Sequence, residues 1–209
     1  MQQLILYTNP QSRGRIAHWM IEELAEPYQT VWLEYGPTGT RSADYLAINP
    51  MGKIPSIKHN GLVVTETAAI CTYLAVAFPE KGLMPRLDDP ALAAFFRWMY
   101  FAAGPVEASV TARAMAWEVP ESRKGTVGFG SHDEVMAALE IALRPGPFVC
   151  GKRFSAADVY LGSHINWGMA FGGIEKRPVF EEYVGRLVQR PAYRRADQIN
   201  QNQLASASS

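Results

Sequence analysis

The stretch Gln3-Leu4-Ile5-Leu6-Tyr7-Thr8-Asn9-Pro10-Gln11-Ser12-Arg13-Gly14-Arg15 decides how this chain is read. Gln3 to Tyr7 is a short β-rich run, and the turn residues Thr8, Asn9, Pro10 and Gln11 follow it. A helix is expected from Ser12. Ile16, Trp19, Met20 and Leu24 recur at three- and four-residue spacing, and Pro27 marks the end of that amphipathic pattern. Thr30 to Leu33 reads as a second strand, so the chain opens on a βαβ unit.

Outward from that unit, a short helix is expected over Ser42 to Ala47, before the breaker pair Asn49-Pro50. Ile54 to Ile57 and Gly61 to Val64 read as a hairpin turned at His59-Asn60-Gly61, and Thr65-Glu66-Thr67 opens a helix through Ala69, Ile70, Tyr73 and Leu74. The order β-α-β-α-β-β-α predicts a compact α/β domain over residues 1–79. Pro85, Pro90 and Gly82, just after Pro79, mark a linker over residues 80–90. Strand signals then almost vanish. Helices are expected over Ala91 to Ala103, Val106 to Trp117, Asp133 to Leu143, Phe154 to Met169 and Val179 to Gln189, with Val119 to Gly130 a loop. These give an all-helical second domain over residues 91–199, and the small polar residues 200–209 read as a flexible tail.

Composition bounds the function classes. The 209 residues are 48% apolar and 19% charged, with twenty basic and twenty acidic side chains. Residues 1–80 hold five basic and seven acidic groups and the rest fifteen and thirteen, so neither part carries the basic surface that nucleic acid requires. No 18-residue apolar run occurs and the start lacks a charged, apolar leader, which sets the expectation of a soluble, cytoplasmic protein without a membrane partner. Cys71 and Cys150 are too few for a disulfide framework; Cys71, mid-helix among apolar residues, is expected buried and inert. His18, His59, His132 and His164 show no metal-ligand spacing, so no metal is expected. Phosphate loops and nucleophile elbows are absent from the sequence.

Four places carry chemistry-bearing residues. Ser12, with Arg13 and Arg15 beside it, stands at a helix start where free N–H groups favour an anion; an ordinary N-cap is the simpler role. Lys53-Ile54-Pro55 places a proline between helix and hairpin, either an edge-strand proline or a cis bond that offers the Ile54 backbone to an extended ligand. Glu66-Thr67 at the third helix start could receive a carboxylate and an ammonium, or simply favour the helix dipole. Ser155 with Asp158 reads as a capping box, a folding signal for a buried helix. Trp19, Trp98 and Met99 are expected in the core.

The order of these features resembles the glutathione S-transferase superfamily, and Tyr7 to Arg15 looks most like bacterial members of the serine type. The resemblance implies a thioredoxin-like α/β N-terminal domain that holds glutathione and an all-α C-terminal domain that lines an electrophile pocket. It implies a cytoplasmic homodimeric detoxification enzyme that conjugates the glutathione thiolate to a small hydrophobic electrophile, with glutathione as co-substrate. By position Ser12 meets the sulfur, with Tyr7 as an alternative hydroxyl, and Asn9 and Arg13 of the same turn are expected to bind glutathione. Ile54 pairs with the cysteinyl backbone beside a cis Pro55, Lys53 faces the glycine carboxylate, and Glu66 and Thr67 grip the γ-glutamyl end. Phe101, Arg113, Trp117 and Phe171 are the residues expected at the electrophile pocket. Glutathione-dependent disulfide or peroxide reduction, or ligand binding without catalysis, are the alternative activities of such a fold.

Overall fold

The computed structural model describes residues 3–207; Met1, Gln2, Ser208 and Ser209, at the head of the expected first domain and the end of the expected tail, lie outside the described residues. The chain divides into two compact units, Met1–Lys81 with Gln189–Ser209, and Gly82–Val188.

In the first unit the order is β1 (Leu4–Thr8), α1 (Gly14–Leu24), β2 (Gln29–Trp32), α2 (Ala43–Leu46), β3 (Ser56–His59), β4 (Leu62–Thr65) and α3 (Thr67–Ala77). The elements are those the sequence predicts, shifted by one to three residues. The sheet runs β2-β1-β3-β4, with β1 and β2 parallel and the other pairs antiparallel. Leu4, Leu6 and Thr8 of β1 are buried, because alternate side chains share one face. Ile16, Trp19, Met20 and Leu24 of α1 are buried as their spacing requires. The register brings the ends of all four strands together: Thr8 stands opposite Trp32, Tyr7 opposite Ser56, and Ser56 opposite Thr65. Four connecting segments therefore leave the same end of the sheet.

The C-terminal segment departs from expectation. α9 (Pro191–Ala207) is a helix of the first unit, where the sequence placed the end of the helical domain and a tail from residue 200. Its seam with α1 supplies the reason. Arg190 makes a two-pronged pair with Glu23, Arg195 reaches Glu22 at 2.8 Å, Arg15 pairs with Asp197, and the Tyr193 ring meets Trp19 edge-on. Asn200 is fully buried, its amide donating to the Ala196 carbonyl at 2.6 Å and lying 3.1 Å from His18.

The second unit is helical: α4 (Ala91–Phe101), α5 (Glu107–Ala114), α6 (His132–Leu143), α7 (Ala156–Ala170) and α8 (Pro178–Leu187). A widened helical turn, Ala102–Val106, joins α4 to α5 and contains Pro105, whose missing N–H interrupts the regular ladder. The loop expected over Val119 to Gly130 contains a 3₁₀ stretch, Glu121–Thr126. α7 is the buried axis of this unit. A Cβ on Gly162 would lie 2.2 Å from the Leu187 side chain, and one on Gly168 would lie 2.4 Å from Ile174, so these glycines let neighbours approach the helix backbone. The Ser155–Asp158 capping box forms, and the Ala156 N–H is bonded to the Leu83 carbonyl. Trp19, Trp98, Met99 and Cys71 are buried, as expected. Among the described residues no helix is long and apolar enough to cross a membrane.

Candidate active site

At the end of β1 the chain turns so tightly that α1 begins at Gly14, two residues later than Ser12. A Cβ on Gly14 would sit 1.8 Å from Thr8 Oγ1, so only glycine lets the helix start pack against the strand. Ser12 is buried at 7% exposure, and its hydroxyl is engaged twice: it donates to the Asn9 carbonyl at 2.6 Å and accepts from the Gly14 N–H at 2.9 Å. Asn9 holds this turn to the neighbouring strand end. Its amide donates to the Leu33 carbonyl at 2.8 Å, and its Oδ1 accepts from the Gln11 N–H at 2.9 Å. Each polar atom of Asn9 thus has one partner inside the chain. Arg13 is exposed at the head of α1, while Arg15 runs the other way, to Pro10 and Asp197.

Tyr7 is on the opposite face of β1 from Thr8. Its ring packs 5.9 Å from that of Tyr45 in α2. Tyr45 instead belongs to a clamp. Its hydroxyl donates to the Lys53 carbonyl at 2.6 Å and lies 2.9 Å from Ser56 Oγ, and Asn49 Nδ2 donates to the same carbonyl at 2.8 Å. Burial raises the Tyr45 phenol, keeping it a donor. The clamp fixes the segment before β3. Ile54-Pro55 is a cis peptide bond, and among the described residues neither the N–H nor the carbonyl of Ile54 has a hydrogen-bond partner. Lys53 is exposed beside it.

At the end of β4, Glu66 has φ +65° and ψ 120°, a conformation that costs a non-glycine residue about 1–3 kcal/mol. It is exposed, and it occupies the N-cap position of α3 without making a side-chain cap bond. Its carbonyl accepts from Ile70, so the backbone is committed to the helix while the carboxylate is not. Thr67 follows it, buried, at the first helical position.

The sequence reading missed the fourth segment, the loop from Leu33 to Ser42. The Leu33 N–H bonds the Thr8 carbonyl at 2.8 Å, and the next residues fold back through Thr40 N–H to the Glu34 carbonyl and Gly36 N–H to Thr40 Oγ1. Gly39 passes so close to Glu34 that a Cβ there would lie 1.9 Å from its carbonyl oxygen. This loop puts the Tyr35 hydroxyl 3.3 Å from the Gln11 carbonyl and near the Ser12 hydroxyl. It also packs Thr40 and Arg41 against Gly52, next to Lys53. The available signal was topological: parallel β1 and β2 end side by side, so an aromatic residue just after β2 falls beside the turn after β1.

In the second unit Phe101 ends α4 with its ring edge-on to Trp98 at 5.3 Å, and Arg113 lies in the last turn of α5. Trp117 and Phe171 are both largely exposed, the latter after α7 and edge-on to Trp167 at 6.2 Å. Arg113 faces His132, whose pKa is lowered first by burial and then by that charge. Cys71 and Cys150 are both pushed up to about 12, Cys71 by burial and Cys150 by burial and the nearby Asp158. His18 and His59 are held by Tyr28 and Tyr73 respectively. Among the described residues no three His, Cys, Asp or Glu side chains converge as a metal site.

Comparison with known proteins identifies the family. Residues 13–77 match the glutathione S-transferase N-terminal domain family. Glutathione S-transferase A of Pleuronectes platessa is 30% identical over 185 residues, covering 82% of this chain and 80% of its own. Glutathione S-transferase GstA of Escherichia coli O157:H7 is 25% identical over 189 residues, covering 89% and 93%. Among solved structures, a glutathione transferase homologue from Sulfitobacter with bound glutathione superposes with a TM-score of 0.74 at 30% identity, covering 95% of this chain and 98% of that one. A glutathione transferase from Methylococcus capsulatus gives a TM-score of 0.78 at 27% identity, covering 94% and 98%. With its four-stranded thioredoxin-like sheet and its helical second unit, the chain belongs to the glutathione S-transferase family.

Proposed function

We propose that this enzyme binds glutathione across the end of its sheet and transfers the glutathione thiolate to a small hydrophobic electrophile. One observation carries the reading: the turn at Ser12, the unpaired Ile54 backbone and the strained Glu66 leave adjacent strand ends in the order β1, β3, β4. Strands about 4.8 Å apart put roughly 10 Å between β1 and β4. An extended tripeptide spans about the same length. The Ile54 N–H and carbonyl pair with the cysteinyl residue, and the Thr67 hydroxyl with the α3 N-terminus receives the γ-glutamyl carboxylate. The Glu66 carboxylate faces the ammonium, and Lys53 and Arg41 face the glycine carboxylate. Asn9 holds the turn that presents Ser12.

In the reaction the bound thiol gives its proton to solvent, and a sulfur lone pair forms the S–C bond as the leaving group departs with its electron pair. A free thiol with pKa about 8.5 is only a few per cent thiolate at pH 7. Lowering it by about two pH units requires ~2.7 kcal/mol. If Ser12 turns its hydroxyl hydrogen to the sulfur, it gains a bond to a charge, about 1.5–3 kcal/mol, but surrenders the neutral one to Asn9, about 0.5–1.5. The net is ~1 kcal/mol, and the α1 N-terminus adds about 0.3–1. Exposed Leu62, Val63 and Val76 in the first unit support a homodimer as the assembly.

Titrating the thiolate absorbance of glutathione with stoichiometric protein tests the reading. The expected bound pKa lies one to two pH units below the free value, and Ser12→Ala reverses part of that drop with little change in affinity. An unshifted titration, with no heat of binding in the same buffer, would refute the proposal. Accumulation of oxidised glutathione in place of a thioether would replace conjugation by reduction.

A further inference from the structure

We propose that Tyr35 is a second hydrogen-bond donor to the glutathione thiolate, delivered to Ser12 by the glycine-built loop between β2 and α2. The inference rests on the proposed glutathione site and deepens it. Three observations lead here.

The first concerns donors. Ser12 has one hydroxyl hydrogen, and it must leave a short bond to the Asn9 carbonyl, 2.6 Å, to reach the sulfur. Thr8, the other hydroxyl in the turn, is fully buried against Gly14. The Tyr35 hydroxyl is placed differently. Its contact to the Gln11 carbonyl is 3.3 Å, long for an O–H donor, so its hydrogen is easily redirected. It also lies near Ser12, on a side chain 58% exposed, so an incoming thiol can reach it.

The second concerns how the loop is built. An exposed tyrosine on a slack loop would be an unreliable donor, but Tyr35 is flanked by fixed points. Leu33 is tied to Thr8 and to Asn9, and Glu34 is tied to Thr40. Gly36 has φ +102°, a region that favours glycine, and Gly39 leaves no room for a Cβ over the Glu34 carbonyl. The Thr40 carbonyl would in turn lie 2.7 Å from a Cβ on Gly52, so the loop is braced against the segment that carries Lys53 and Ile54. Tyr35 is thus held relative to both the sulfur-binding turn and the backbone that would pair with the cysteinyl residue.

The third is the protonation state. Partial burial raises the phenol above its ordinary value, with the Ser12 hydroxyl acting in the opposite sense, so Tyr35 carries its proton at neutral pH. It donates a hydrogen bond to the thiolate and keeps that proton; the thiol proton still leaves to solvent.

The test compares wild type, Tyr35→Phe, Ser12→Ala and the double variant by two readouts: the pKa of bound glutathione, and the affinity for S-methylglutathione, which has no thiol to ionise. The phenylalanine variant keeps the ring and loses only the hydroxyl. We expect it to raise the bound pKa by about one pH unit, the worth of one hydrogen bond to a charge. S-methylglutathione affinity should change less than twofold, and the double variant should bring the thiol close to its free pKa. At saturating glutathione, the pH profile of kcat/KM for the electrophile should move by the same amount. A wild-type protein that lowers the thiol pKa together with a Tyr35→Phe protein that lowers it equally would overturn the inference and leave the proposed function standing. A Tyr35→Phe protein that weakens S-methylglutathione and leaves the bound pKa alone would make the residue a structural one. A wild type that fails to bind either ligand removes the proposed function, and this inference with it.

Discussion

Two helix starts in this molecule are written in similar residues and finished in opposite ways. At α7, Asp158 is buried and every oxygen face is used: Oδ1 accepts from the Val149 N–H and the Tyr183 hydroxyl, Oδ2 from the Ser155 N–H and hydroxyl. Burial pushes that carboxyl up while these four bonds pull it down. At α3, Glu66 is exposed, at positive φ, and caps nothing. A helix start whose polar groups are all satisfied within the chain is a folding device. One held open in a strained conformation costs stability, and that cost persists only where surrounding structure enforces it. The difference separates a structural acid from a candidate binding acid when the sequence shows only an acidic residue near Ser or Thr.

The sharpest way to break the comparison is Asp158→Ala. Four donors would lose their acceptor inside the second unit, and urea unfolding should show a loss of roughly 3–5 kcal/mol. A loss under about 1 kcal/mol would mean that the α7 start is not what holds that unit together. Next comes Gly14→Ala, which forces a methyl group into Thr8. It should cost about 1–3 kcal/mol through overpacking and also weaken thiol activation, since Ser12 bonds to the same N–H. Unchanged stability there would mean that the turn is softer than its 1.8 Å clash implies.

The open start should answer differently. Glu66→Gly removes the strain of the positive φ and adds chain entropy to the unfolded state, so stability should stay within about 1 kcal/mol of wild type. Glutathione affinity should fall at least tenfold, the loss of a hydrogen-bonded charge partner at about 1.5–3 kcal/mol. If affinity survives, Glu66 is not the ammonium partner, and the contrast with Asp158 is one of solvent exposure only.

The sequence made the N-terminal elements legible because turn residues and apolar spacing punctuate them closely, as at Asn9-Pro10 and Ile16-Trp19-Met20. The capping box at Ser155 and Asp158 was equally local and equally readable. What escaped depended on distant partners. α9 is held by Arg190, Arg195 and Asn200 against residues of α1 more than 160 positions earlier, which no local window contains. Tyr35 escaped for the same reason: its place beside Ser12 follows from strand pairing, not from its neighbours in sequence. At Ser12 the partners are close in sequence, the Gly14 N–H and the Asn9 carbonyl, but the tight turn that brings them to the hydroxyl is itself set by the packing of Gly14 on Thr8.

The smallest effect concerns acid, and it tests whether the closed network at α1 behaves as α7 does. His18 is fully buried: Nδ1 lies 3.1 Å from the Asn200 amide, Nε2 lies 2.6 Å from the Tyr28 hydroxyl, and that hydroxyl donates to Glu22 at 2.6 Å. Arg195 holds the other Glu22 oxygen. Burial lowers the His18 pKa, and the Glu22 charge opposes it without prevailing, so the native ring is neutral. In the unfolded chain the same ring takes up a proton near pH 6.5. Below that pH the unfolded state therefore binds more protons than the native one, and stability falls as the solution is acidified, until the native ring itself titrates. His59 and His132 are also lowered by burial and act in the same direction. Unfolding free energy measured by urea between pH 7 and pH 5 should decline in wild type and decline less steeply in His18→Gln. Equal slopes would mean that protonated His18 is tolerated in the native state through Glu22, making the α1 network an adaptable ion cluster where the α7 start is a fixed one.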